Sequence, residues 1–356
     1  MLCGTVNATS WRVCSKPEAG ANFLSVHDAV PSNSVFAGDT LYIEPGHIEN
    51  WDNYGYITKR LIIIGPGFLL TQNNISTINP EEAIFTGSNM TISANGTYIY
   101  GCKFLNTLAI NANEIVVGNC MFTSGLTIGS VSGVIIRNCF FNNANIDVYE
   151  SYANSCTIEN NIVFGKIVKR TVGFGSYAYG YWNNCVFKNN TVVSNATNYI
   201  FHSMKNCEIY NNIVINTSDE YSTTTNSNQT VDTTWYRNYT MYTFPSNGNN
   251  VYNNILSSAS IPGYANCIFN KRVDEILIWN DANTIEEKYK HIANGLAVGA
   301  GVNGTTCGAY GAVNGGRAYQ PAGIPQYRPY IYDANIDETT SSNNTINASF
   351  KIKVQQ

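Results

Sequence analysis

The chain has 356 residues, with 20 Lys and Arg against 24 Asp and Glu, a formal charge of −4 that argues against a polyanion-binding surface and so against nucleic acid as a partner. Its longest apolar stretch, Leu61 to Leu70, is broken by Gly65-Pro66-Gly67 and falls far short of the roughly 20 residues of a membrane span. Only 12% of the residues are charged and 50 are Asn, a departure from ordinary globular composition that calls for a structural cause.

In chain order, Met1-Leu2-Cys3-Gly4 has neither the basic start nor the apolar run of a secretory signal, so any export signal is expected to have been removed or never to have existed. Phe23, Val26, Ala29 and Val30 recur at helical spacing and predict a short amphipathic helix, the kind of element that covers the open end of a strand stack. A phrase then repeats. Cys102, Cys120, Cys139, Cys156, Cys185, Cys207 and Cys267 are each followed two residues later by an apolar side chain: Phe104, Phe122, Phe141, Ile158, Phe187, Ile209 and Phe269. Such alternation is a strand signal. Asn106, Asn143, Asn160, Asn189 and Asn211 lie four residues after a Cys, and Asn161, Asn190 and Asn212 double three of them. Asn tolerates the left-handed conformation of a sharp bend, so each unit reads as strand, corner, strand. Asn249 to Leu256 repeats the phrase with Asn249 in the Cys place.

Units of about 18 to 22 residues with short strands and no helix are what one turn of a parallel β-helix requires, with rungs stacked at about 4.8 Å. The seven repeat Cys are expected to form one interior thiol stack, and the Asn a corner ladder bonded along the axis. Placement at equivalent repeat positions argues against a metal site or a disulfide framework, while a Cys3–Cys14 pair stays open. Further on, Asn283 and the acidic pair Glu286-Glu287 predict a second short helix over 284–292, and the alternation in 347–354 predicts a terminal strand on the final rungs. Gly299-Ala300-Gly301-Val302-Asn303-Gly304 fits a dinucleotide fingerprint by letter, but no helix follows it. The expected division is an N-terminal segment and cap helix over 1–36, β-helix rungs over 37–272 with long loops at 165–184 and 217–248, and last rungs with a C-terminal cap over 273–356.

Several stretches carry a resemblance. Trp11-Arg12-Val13, Asn22 to Val30, Ala37 to Gly46 and Thr58 to Phe68, with Leu296 to Gly301, Cys307 to Gly311 and Ala322 to Pro325 near the end, are similar to uncharacterised secreted or surface bacterial proteins of the pectate-lyase-like superfamily. The resemblance implies an all-β, single-stranded right-handed parallel β-helix with a short N-terminal cap helix and a C-terminal capping segment, located outside the cell or on its surface. It implies no activity. The Asp pairs and Gly-His-Gly phrase of polygalacturonases are missing, as is the Asp-rich calcium cluster of pectate lyases, so no cofactor is expected, calcium entering only for a lyase.

Two repeat units are extended, those of Cys156 and Cys207. Both extra lengths follow the strand after the corner, so both are expected on one side of the coil, the side that holds the substrate groove in pectate-lyase-like folds. The first contains Phe174, Tyr177, Tyr179, Tyr181 and Trp182; the second contains Trp235, Tyr236, Tyr239, Tyr242 and Phe244. Aromatic rings suit stacking on the C–H face of a sugar, and the alternative is a satellite core. Arg237 joins Tyr177, Tyr179, Tyr181, Trp182, Trp235, Tyr236 and Tyr239 as substrate-binding candidates. Asp147 and Glu150 could act as acid and base, and Lys169 or Arg170 on the next rung could abstract a proton from a uronic acid; the plain alternative is a surface ion-pair patch. The expected function is glycan contact through aromatic loops without classical catalytic motifs. A divergent polysaccharide lyase or glycoside hydrolase and a structural adhesin module are the alternatives.

Overall fold

A computed structural model describes residues 8–51, 55–73, 80–149, 152–170, 181–195, 200–217, 221–225, 231–235, 241–242, 247–279, 282, 284–312, 318–325, 329–336 and 348–354; within 169–170, 221–242, 329–336 and 348–354 only the backbone is described. The repeat units wind into three long parallel sheets, with ten strands in sheet A, nine in sheet B and eight in sheet C, and a short four-stranded sheet D between C and A. One rung shows the order: Ile135–Arg137 in A, Phe140–Asn142 in B, Asn145–Tyr149 in C and Tyr152–Asn154 in D. The chain is thus a right-handed parallel β-helix, the hand expected of parallel crossovers.

Left-handed residues make the corners. Between A and B they are Asn119, Asn138, Asn160, Asn189, Asn211, Asn253 and Asn266, all with φ near +55°; between D and A they include Ser155, Asn184 and Asn206. A short polar side chain adopts this backbone at low cost, which accounts for much of the Asn excess. Alternate residues of every strand point inward, so Leu41, Ile63, Ile99, Val117, Ile136, Ile158, Phe187, Ile209 and Val251 fill the sheet A side of the core. Phe104, Phe122 and Phe141 stack on the sheet B side, with centroids 5.1 and 4.7 Å apart and rings within 11° of parallel.

The thiols do not form one stack. Cys102, Cys120 and Cys139 follow the left-handed residue at the A–B corner, whereas Cys156, Cys185 and Cys207 follow the one at the D–A corner. The repeated phrase changes sheet between Cys139 and Cys156, because both corners are built from the same bend and accept the same words. Beyond Cys139 the A–B position is taken by Asn161, Asn190, Asn212 and Asn254, then by Cys267. Each amide Oδ1 there accepts the backbone N–H of the rung before, as from Cys139 to Asn161 at 3.0 Å and from Asn190 to Asn212 at 2.9 Å. At the D–A corner the thiol does the same work: the N–H of Cys156 donates to Cys185 Sγ at 3.3 Å, and that of Cys207 to Asn249 Oδ1 at 3.0 Å. The amide ladder is therefore the second Asn of each pair, while the first makes the bend.

The expected cap helix is present as Val26–Ala29, shorter than the periodicity suggested. Buried Glu49 accepts from the N–H groups of Val26 and His27 at its start, at 2.6 and 3.2 Å. The second predicted helix is one 3-10 turn, Glu287–Tyr289. Residues after Phe269 add no strand to sheets A–D among the described residues; instead they cover the outer face of sheet B. Phe140, Ile162, Val193, Ile213 and Ile255 face outward there and pack against Ile276, Leu277, Tyr289, Ala297, Cys307, Ala309 and Tyr319 in a second core. The segment from Ala300 to Gly323 runs back across the A–B corners. Asn253 donates to Ala300 O at 3.0 Å, Asn211 accepts from Val302 N at 2.9 Å, Asn189 donates to Thr306 O at 3.0 Å and Asn160 to Ala309 O at 2.9 Å. Phe68 N then donates to Ala322 O at 2.8 Å. The predicted terminal strand is Ala348–Val354, and its partner is not a rung but Pro329–Ile336, in an antiparallel pair.

Candidate functional site

Two of the long connections between strands border sheet C. One leaves the sheet C strand Ile167–Arg170 and enters sheet D at Tyr181; the other leaves the sheet B strand Ile213–Asn216, forms the hairpin Tyr221–Thr225 with Val231–Trp235, and enters sheet C at Met241. The two insertions thus meet sheet C from opposite edges, where the sequence placed both after the same strand. Between them the outer face of sheet C carries a row set by register: Tyr56, Thr91, Ala109, Thr127, Asp147 and Val168. Pairing of Ile167 with Phe201 puts His202 next in the row, and His202 pairs with Tyr242. Of its small side chains, Ala109 and Thr127 are half-buried and make a shallow floor while Thr91 and Val168 are buried; half-buried Asp147 and His202 are ionisable groups of the row. His202 Nδ1 lies 2.6 Å from Ser203 Oγ.

Tyrosines line the C–D edge of this floor. Tyr149 and Tyr152 are 41% and 44% exposed, and the half-buried ring of Tyr181 lies 6.1 Å from that of Tyr152. Tyr149 and Tyr152 were not among the sequence candidates; their only signal was a position between the third and fourth strands of the Cys139 rung. His202 was likewise not among the candidates, because the register that carries it to the row is invisible without the sheet.

Of the candidate acid and base residues, Asp147 lies on the floor, while Glu150 lies outside the described residues. Lys169 and Arg170 end the neighbouring strand, in register with Val148 and Tyr149 rather than with Asp147. Of the aromatic candidates, Tyr181 is at the edge of the face and Trp235 ends the hairpin opposite Tyr221. Phe174, Tyr177, Tyr179, Tyr236, Arg237, Tyr239 and Phe244 lie outside the described residues.

Trp182 requires a correction. It is an interior residue with no exposed surface, packed edge-on against Phe187 with centroids 5.2 Å apart, and cannot touch a ligand on the outer face. Its strand belongs to sheet D, where Ala153 is its neighbour on the preceding rung. That small side chain leaves room for the indole, and strand alternation turns Trp182 inward while Tyr181 turns out. Among the described residues no group of three or more His, Cys, Asp or Glu could hold a metal ion. Nor is any described helix long and apolar enough to cross a membrane.

The coil defines a right-handed parallel β-helix protein. The chain is similar to several solved structures. The pectate lyase Pel9A is 11% identical with a TM-score of 0.48, over 84% of this chain and 93% of its own. A rhamnogalacturonan lyase is 11% identical with a TM-score of 0.37, over 74% of this chain and 86% of its own. A pectin methylesterase in complex with a hexasaccharide is 12% identical with a TM-score of 0.36, over 73% of this chain and 92% of its own. At such identity these likenesses concern the fold alone. No protein-family model matches the chain, and no curated protein sequence does.

Proposed function

We propose that this is a secreted or surface protein that binds an extended polysaccharide along the outer face of sheet C. The observation that carries the reading is the row from Tyr56 to His202, a strip of small side chains bordered by exposed tyrosines and by both long insertions. A sugar chain presents flat C–H faces with hydroxyls at their edges. The half-buried Ala109 and Thr127 receive the former, and Tyr hydroxyls, Asp147 and His202 bond the latter. Retention of the protein on immobilised pectin, alginate and host-type glycans is the test. The Tyr149→Ala/Tyr152→Ala/Tyr181→Ala variant is expected to lose retention about tenfold with an unchanged melting temperature; equal retention removes sheet C from the reading.

A second reading has one observation in its favour. Asp147 and His202 stand two strands apart on the same row, about 9 to 10 Å at the usual strand spacing, which leaves room between them for a sugar linkage and a water. A carboxylate and an imidazole so placed could divide acid and base roles in a lyase or glycoside hydrolase. Absorbance near 235 nm and new reducing ends, both lost in Asp147→Asn, would select catalysis. Retention without turnover selects binding, and concentration-dependent assembly without glycan retention selects an adhesin.

A further inference from the structure

The apolar ladder on the outer face of sheet B does not stay covered to its end. Ile48, Ile84, Lys103, Met121 and Phe140 follow one another in register. The C-terminal segment buries Met121 and Phe140, but Ile48 is 55% exposed. Over this end, among the described residues, opens a cleft of about 530 Å³, within the size range of small-ligand sites. Ile48 and Ile84 lie in its floor, and Leu69 and Leu70 line it as well.

Two ion pairs stand in its wall. Lys103 Nζ is 2.6 Å from Glu82 Oε2, with Glu82 Oε1 accepting from Leu69 N at 2.6 Å, and Lys16 Nζ is 2.8 Å from Glu81 Oε2. The second pair lies directly on Gly46, where a Cβ would come within 2.2 Å of the Glu81 carboxylate and 2.6 Å of the Lys16 ammonium. A bare backbone at φ +77° is what lets this pair sit there. The lining charges cancel, two cations against two anions, so a ligand of either net charge gains nothing overall. Because each ammonium already has its carboxylate, a zwitterion would have to break both pairs. A hydroxyl need break neither: an ammonium has three donors, and the ion pairs of Lys16 and Lys103 each engage one of them with a carboxylate.

We infer that this cleft is a binding site for a short neutral oligosaccharide, separate from sheet C, whose apolar ring faces rest on Ile48 and Ile84 while its hydroxyls bridge the Lys16–Glu81 and Lys103–Glu82 pairs. The inference stands whether or not sheet C binds polysaccharide.

Titration calorimetry with neutral trisaccharides of galactose, xylose and glucose, with trigalacturonate and with glycine betaine tests it. At least one neutral trisaccharide is expected to bind, and the two charged probes are not. Ile48→Trp, which fills the cleft from an exposed position, should weaken that binding at least tenfold, and Lys103→Met should weaken it several-fold. Asp147→Asn, on the other face, should leave it unchanged. Failure of every neutral trisaccharide to bind, unaltered affinity in Ile48→Trp, or tighter binding of trigalacturonate or betaine overturns the assignment. Loss of trisaccharide in Asp147→Asn alone would move the site to sheet C, whereas loss of polysaccharide retention in the tyrosine variant with trisaccharide binding intact would leave both faces in use.

Discussion

The A–B and D–A corners are the same bend, a left-handed residue followed by an inward side chain, yet they do different work. At the A–B corner the outward Asn160, Asn189, Asn211 and Asn253 hold the returning C-terminal segment, and the inward Asn161, Asn190, Asn212 and Asn254 bond from rung to rung. Beside the D–A corner the outward amides of Asn183 and Asn154 meet each other at 2.9 Å, and the inward places hold Cys156, Cys185 and Cys207, then Asn249. A repeat fixes a backbone. What stands outside each corner decides how many polar groups it can hold.

The largest effect that would break this contrast is at the inner amide. Asn190 accepts from Asn161 N and Nδ2 and donates to Ile158 O and Asn212 Oδ1, all between 2.8 and 3.1 Å, so Asn190→Leu orphans several buried groups at once. A loss of about 4 kcal/mol in urea unfolding is expected. A loss below about 1 kcal/mol would show the ladder to be ornamental.

Next comes the clamp on the returning segment. Glu286 has no exposed surface; it accepts from Tyr319 Oη, from Ala322 N at 3.1 Å and from Asn73 Nδ2. Burial pushes its carboxyl from 4.5 up to about 7, against the pull of those hydrogen bonds. The folded state therefore holds a proton that the unfolded chain releases, so the stabilisation is complete below about pH 4.5 and is lost as pH rises through about 7. Stability should fall by up to about 3 kcal/mol across that window, and Glu286→Gln should flatten the profile.

At the D–A corner, Cys185→Ser should cost about 2 kcal/mol, since a hydroxyl there replaces a sulfur that accepts from Cys156 N and packs in the core. Among the described cysteines only Cys267 is not fully buried, so a thiol reagent should label it first in the native protein. Fast labelling of the Cys156, Cys185 and Cys207 group would refute the interior placement. The smallest effect sharpens the comparison: Asn184→Ala, at an exposed left-handed corner, should cost about 1 kcal/mol, and Asn189→Ala more, because it also releases Thr306 O. Equal melting temperatures would remove the returning segment from the account.

Much of this architecture was legible in the sequence. The Cys-x-Phe and Asn-Asn phrases announced rungs, corners and an amide ladder, because each rung repeats one local solution. What the phrases could not disclose was which corner they occupied, so Cys139 and Cys156 read as equivalent although they belong to different sheets. Trp182 read as a loop aromatic because its insertion ends only one residue earlier, and a strand of three residues leaves little alternation to detect. The floor of sheet C was half visible: Asp147 came from a scarcity of charge, while His202 needed the register. The cleft at Ile48 joins residues from 16 to 103 that no local pattern connects.

The returning segment has a consequence for how the molecule comes apart. A solenoid whose rungs touch only their neighbours behaves as a one-dimensional array and can fray from either end, one unit at a time. Here contacts such as Asn160 with Gly311, 151 residues apart, tie the middle rungs to a stretch that follows the last one, and Phe68 with Ala322 ties in an early rung as well. The last rungs cannot peel away with the segment that follows them without also undoing bonds in the interior of the stack. The array is closed upon itself, and its unfolding should be one cooperative event where an open coil would unzip.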